Sequence, residues 1–288
     1  MATLRTIRKR IASVKNTEQI TRAMYMVSAA KLRRAQMAAE SSRPYAEALN
    51  ASISDLAARV SDDHPMLTSR PIKKAEIVVF TSDRGLCGGY NSNLIRTAER
   101  FIREQCGSYE QIDVSVVGKR AADYFKRRRR PVRKATTNML RTVSYELARG
   151  VADDLTARFL AGEVDAVYLI YAVFKSALTQ TPTVVQLLPF QVPAAENEGG
   201  AQIDYIYEPT MREILDALLP RQVRNQVYRA MLESAASEHG ARMTAMDSAS
   251  SNAADMISRL TLQFNRVRQS AITKELMEII GGAEALKG

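Results

Sequence analysis

LRTIRKRIASVKNTEQITRAMYMVSAAKLRRAQMAAESSRPYAEALNASISDLAAR, residues 4–59, contains no glycine and one proline, Pro44. Leu4, Ile7, Ile11 and Val14 alternate three and four residues apart, the seam of a coiled coil. The seam then passes to Ile20, Met24 and Val27, and that uneven spacing predicts a stammer, a local overwinding of the supercoil. Beyond it the seam turns small, through Ala30, Ala35, Ala38 and Ala39. A helix of this length spans about 80 Å, more than a compact domain needs.

The C-terminal third repeats the pattern. After Pro220 no proline occurs, and Gly240 is the only glycine before Gly281 and Gly282. Met256, Leu260, Phe264, Val267 and Ala271 keep helical spacing, and Leu276, Ile280 and Ala283 extend it over a helix of roughly 90 Å. An apolar stripe on a lone helix would be exposed and would aggregate. The two terminal helices are therefore expected to pack on each other as an antiparallel coiled coil.

Between them the periodicity changes. Residues 76–82 (EIVVFTS), 112–118 (IDVSVVG), 166–173 (AVYLIYAV) and 183–188 (TVVQLL) are β-rich. Helical stretches at 93–105, 119–130 and 143–161 separate the first three of them. Such alternation predicts βαβ units and a mainly parallel sheet. The expected fold is α/β: an antiparallel two-helix coiled coil from the N- and C-terminal segments plus a central Rossmann-like domain. The domains are expected at 1–59 (N-terminal helix), 75–191 (central α/β) and 208–288 (C-terminal helix). Residues 61–75 read as a linker and 192–201 as a loop.

The 288 residues carry a net charge of +10, which favours acidic partners. Through Arg34 there are nine basic residues against Glu18 alone, and a second block, KRRRRPVRK, occupies 126–134. Two cysteines, Cys87 and Cys106, suit a reducing compartment and exclude a disulfide framework. The start is too charged for a signal peptide, and although an Arg-rich, acid-poor N-terminus could suggest a transit peptide, its helical pattern runs on into the long helix, so no removable leader is expected; nowhere do eighteen apolar residues run together.

The stretch TSDRGLCGGYN, residues 81–91, sits between a strand and a helix, where many proteins hold a nucleotide phosphate. It lacks the lysine and hydroxyl that a P-loop requires, since Tyr90 and Asn91 follow Gly89. Its glycines at 85, 88 and 89 also miss the dinucleotide spacing. The expected role of Gly85, Gly88 and Gly89 is a structural turn with positive φ, the helix being capped by Asn91 or Asn93. Asp83 beside Arg84 reads as an ion pair. His64, His239 and the two cysteines lie too far apart in sequence to suggest zinc, and no Ser-His-Asp arrangement stands out. No catalytic residue, cofactor site or metal site is expected. The 126–134 block lacks a nucleic-acid module around it and reads as a solvated helix end facing an acidic neighbour.

IASVKNTEQITRAMYMVSAAKLRRAQ (11–36), TSDRGLCGGYN (81–91) and AITKELMEIIGGAEAL (271–286) closely resemble the γ subunit of F-type ATP synthases. The likeness extends over essentially the whole chain, including YIYEP before the last helix. It implies a central rotor shaft, itself non-catalytic. Its partners would be three α and three β subunits, ε and the membrane ring of c subunits. No nucleic acid is implied, and the location would be peripheral to the cytoplasmic face of a bacterial inner membrane. By family position the resemblance implies hexamer contacts from Arg8, Lys9, Met24, Arg33, Arg34, Arg268, Gln269, Thr273, Ile280 and Leu286. It implies contacts with the c ring or ε from Tyr205, Tyr207 and Glu208. The alternatives, a nucleic-acid-binding coiled-coil protein and a nucleotide-binding α/β protein, predict salt-sensitive DNA binding and micromolar ATP binding respectively.

Overall fold

The computed structural model describes residues 4–59, 64–68, 70–105, 107–138, 142–191, 208 and 210–285. They form α1 (Leu4–Arg59), β1 (Lys74–Phe80), α2 (Tyr90–Gln105), β2 (Gln111–Val117), α3 (Lys119–Arg127), β3 (Lys134–Thr136), α4 (Tyr145–Leu160), β4 (Ala166–Phe174), β5 (Gln180–Leu188) and α5 (Met211–Ala285). Pro44 and Pro220 lie inside α1 and α5 rather than ending them. The chain divides into two compact units, residues 1–27 with 243–288, and residues 28–242.

The first unit is the pairing of α1 with the end of α5. Arg8, near the start of α1, stacks its guanidinium over the Phe264 ring at 5.6 Å. In the second unit Gln222 Nε2, near the start of α5, donates to Asn50 Oδ1, near the end of α1, at 2.5 Å.

The expected stammer is absent. Among the covered residues of α1 a seam runs through Leu4, Ile7, Ile11, Val14, Glu18, Thr21 and Tyr25 in the first unit, with Met24 covered beside it, and through Ser28, Leu32, Ala35, Ala39, Ser42, Ala46, Leu49, Ile53 and Leu56 in the second. Each list keeps three-four alternation. The uneven apolar spacing arose because polar Glu18, Thr21 and Ser28 occupy seam positions. Thr21 tolerates burial there because its hydroxyl donates to the Glu18 carbonyl at 3.0 Å. Ile20 and Val27, read as seam residues, are 60% and 56% exposed. On α5 the covered positions include Met246, Ser250, Ala253, Ile257, Leu260, Phe264, Val267 and Ala271, again in three-four alternation. Met256, and beyond Ala271 also Leu276 and Ile280, are exposed.

The second unit is built on a sheet ordered β3-β2-β1-β4-β5, parallel except that β5 runs against β4. Alternate residues of β1 serve opposite faces, as strand geometry requires. Val78 and Phe80 join a core with α4, the end of α1 and the start of α5. Ile77 and Val79 join a second core with α2 and α3. With both faces covered, the strands read as continuous apolar runs.

One strand escaped the sequence reading. β3 lies at the end of the basic block, where Lys134 pairs with Ser115 of β2. An ion network holds this short edge. Glu76, fully buried in β1, accepts from Ser115 Oγ at 2.6 Å and from Arg133 Nε at 2.8 Å, and is paired with Arg158 of α4. Arg158 also reaches Asp113, while Arg133 and Lys134 both meet Asp154. A buried carboxylate survives only when paired and hydrogen-bonded in this way.

Candidate interface surfaces and an occupied crevice

β1 ends beside both β2 and β4, the point in a doubly wound sheet where the strand order reverses and ligands usually bind. The glycine turn leaves β1 there, and the crevice beside it is taken by the chain's own α5. Tyr90 Oη donates to the Ser234 carbonyl at 3.1 Å, and Ser237 Oγ to the Ala172 carbonyl near the end of β4 at 2.9 Å. Arg242, paired with Glu238 at 2.8 Å, donates to the Gly85 carbonyl at 3.2 Å. Gly240 lies so close to the β4–β5 hairpin that a Cβ would sit 3.0 Å from the Phe174 ring. Protein side chains and a helix backbone stand where a nucleotide would have to lie.

Within the turn, Gly88 adopts φ 53° and Leu86 adopts φ 65° although it has a side chain. Gly85 and Gly89 do not have positive φ, so only one of the three glycines serves the conformational purpose expected of them. Asn91 and Asn93 lie inside α2 rather than capping it. Asn91 instead clamps the turn: its Oδ1 accepts from the Ser82 amide at 2.9 Å, and its Nδ2 donates to Cys87 Sγ at 3.1 Å. Asp83 accepts from the Lys119 amide at 3.0 Å, starting α3, and is not paired with Arg84. Burial pushes the Cys87 thiol up despite the hydrogen bond to Ser82, so it is no thiolate nucleophile. Leu86 stands out from the turn 63% exposed.

His64, His239 and Cys87 do not converge, and Cys106 lies outside the described residues. His64 is buried; its Nδ1 accepts from the Met66 amide, so Nε2 carries the proton donated to Asp216 at 2.8 Å. His239 is buried in α5, its Nδ1 without a hydrogen-bond partner among the described residues. Burial first, then Arg242 and Lys31, push its pKa down to about 4. Among the described residues no group of His, Cys, Asp and Glu could hold a metal ion, and no helix is long and apolar enough to cross a membrane.

The remaining candidate residues lie on helix surfaces. Lys9, Arg268, Gln269, Thr273 and Ile280 are exposed in the first unit, with Arg8 on Phe264 and Met24 half-buried. Arg33 and Arg34 are exposed in the second unit, as is Glu208. Leu286, Tyr205 and Tyr207 lie outside the described residues. The sequence reading missed Ile272, Met277 and Leu262, exposed apolar residues whose signal was their position off the seam. It also missed the docking set Tyr90, Ser237 and Arg242, which carries no motif.

A family model described as ATP synthase matches residues 3–286. The ATP synthase gamma chain of Anaeromyxobacter sp. (strain Fw109-5) is 53% identical over 291 residues, covering 100% of both chains. That of Geobacter sp. (strain M21) is 51% identical over 289 residues, again covering 100% of both. A chain from the central stalk and c ring of the Tetrahymena thermophila mitochondrial ATP synthase superposes with a TM-score of 0.61 at 25% identity, covering 80% of this chain and 99% of that one. A chain from the rotor of the Euglena gracilis mitochondrial ATP synthase gives 0.67 at 18% identity, covering 93% and 98%, a likeness of fold.

Proposed function

This chain belongs to the ATP synthase family, among its gamma chains, and from that premise we infer that it is the central shaft of such a complex. It couples rotation of the membrane ring of c subunits to the cycling of three catalytic β subunits, alternating with three α. The observation that carries the reading is the pairing of α1 with the end of α5 in the first unit. One such pair has no threefold symmetry, so within a pseudo-threefold collar it meets each β subunit with a different surface. Differential contact is what biases a conformational cycle.

The chain performs no chemistry itself, a reading supported by the occupation of its sheet crevice by α5. Arg8, Lys9, Arg33 and Arg34 face acidic segments of β, and Met24 lies where the shaft passes them. Arg268, Gln269 and Thr273 meet β loops, while Ile280 and Leu286 turn in an apolar sleeve. Tyr205, Tyr207 and Glu208 meet the c ring or ε. The complex is membrane-associated; we place this subunit at the cytoplasmic face of a bacterial inner membrane.

Mixing the purified chain with α and β tests the reading. One copy per α3β3 hexamer and a rise in multi-site ATP turnover are expected, with no hydrolysis by the chain alone. Three copies per hexamer would overturn it, as would micromolar ATP binding by the isolated chain.

A further inference from the structure

Lys126, Arg127, Arg128 and Arg129 are exposed, with Arg130 half-buried beside them. No carboxylate among the described residues pairs with any of them. Arg127 Nε donates to the Asp123 carbonyl, and Arg128 lies over the Tyr124 ring at 5.6 Å. Arg133 and Lys134 are consumed by Glu76 and Asp154, which separates the block into a structural end and an unpaired one.

The direction of the unpaired end follows from the topology. α3 starts at the glycine turn, with Ala121 N–H on Thr81 Oγ1, and so ends toward the N-terminal ends of the parallel strands. That is where β5 finishes, since Leu188 pairs with Val167 at the start of β4. It is also where α5 begins, tied by Asp216 to His64 ahead of β1. The residues flanking 192–207 therefore share this end of the sheet with the basic turn. Under the proposed function this is the end that faces the membrane ring.

We propose that the turn at residues 126–130 docks on anionic lipid headgroups at the membrane surface, an inference that rests on the shaft reading. The turn offers four exposed cations in succession with no exposed apolar residue among them. A protein groove asks for an apolar centre, whereas a headgroup layer asks only for charge. Nucleic acid is disfavoured because Tyr124, the nearest ring, is already covered by Arg128.

The test is flotation of the hexamer complex, assembled on this chain, with ring-free vesicles of phosphatidylcholine alone or with one third phosphatidylglycerol. The complex should bind only the anionic vesicles, less as salt rises. The triple variant K126Q/R127Q/R129G keeps Arg128 on Tyr124 and places glycine at φ 54°; its partition should fall roughly 30- to 100-fold. The variant R84Q/R96Q/K175Q removes the same charge from exposed residues elsewhere and should change partition less than about threefold. Equal loss in both variants, no loss in the first, or equal binding to both vesicles would overturn the inference. Failure of the chain to assemble at all would sink the shaft reading first, whereas assembly without lipid dependence would sink only this inference.

Discussion

Tyr90 opens α2 and places its hydroxyl 3.1 Å from the carbonyl of Ser234, 144 residues later in the chain. The ring is buried, and burial drives its pKa well above the ordinary value, so it stays a neutral donor at any working pH. This bond fastens the glycine turn to α5. Tyr90→Phe leaves a buried carbonyl short of one donor and should cost about 1 kcal/mol. Urea denaturation of the isolated chain checks this; an unchanged midpoint would mean the turn is not held there.

Two glycines near the same turn should respond oppositely. A Cβ on Gly118, at φ 109°, would lie 1.9 Å from the Thr81 backbone carbonyl, which cannot retreat. Gly118→Ala should fail to give soluble folded chain. A Cβ on Gly85 meets only the tip of the Arg120 guanidinium, at 2.7 Å, and a flexible side chain can swing away. Gly85→Ala should shift stability by less than about 0.5 kcal/mol. Soluble yield and circular dichroism of the two variants decide the matter.

Stability should fall on acidification before Asp113 and Asp154 titrate. His239 has a folded pKa lowered to about 4, against an unfolded value near 6.5. Its contribution is fully present above the unfolded value and is lost as pH falls from there toward 4, with a slope of up to about 1.4 kcal/mol per pH unit. Below that, burial opposes ionisation of Asp113 and Asp154. Hydrogen bonds outweigh it, from Gln111 and Arg158 for Asp113 and from Arg133 and Lys134 for Asp154, and both carboxyls sit below the usual range. Their contribution is then lost as well. His239→Gln should flatten the denaturant midpoint between pH 7 and 5 while leaving the steeper fall below pH 4.

Ile279 and Ile280 are 67% and 57% exposed, so most of each side chain is left uncovered by the isolated chain. Replacing both with serine should leave its denaturation within about 0.5 kcal/mol of the parent. In the assembled complex the same pair should lower ATP-driven rotation measured on single molecules. A large loss of stability in the free chain would show that the tip packs within the chain instead.

The order of elements was readable because long glycine-free stretches and apolar strand runs are strong signals, and the coiled coil and parallel sheet follow from them. The details that failed did so for physical reasons. A seam carrying Glu18, Thr21 and Ser28 looks interrupted when only apolar residues are counted, although small or self-bonded polar residues fit between close helices. β3 was hidden because its lysine and the adjoining Arg133 are recruited by carboxylates remote in sequence. The crevice was harder still. Residues 231–242, MLESAASEHGAR, do not look like core, and their burial depends on small side chains and on the Glu238–Arg242 pair. Of the surface residues implied by family likeness, sequence supplied positions but no geometry.

The enclosure of α5 between Met231 and Arg242 has a mechanical corollary. Ser234 and Arg242 bond to the turn, Ser237 bonds to β4, Gly240 abuts the hairpin, and every residue from 231 to 242 except Glu233 is buried, whichever way it faces. A helix gripped on one side could roll in its seat; one gripped around its circumference cannot. Any torsional load reaching this stretch is handed to the sheet as a rigid lever, so slippage between helix and sheet would demand breaking the domain's own core.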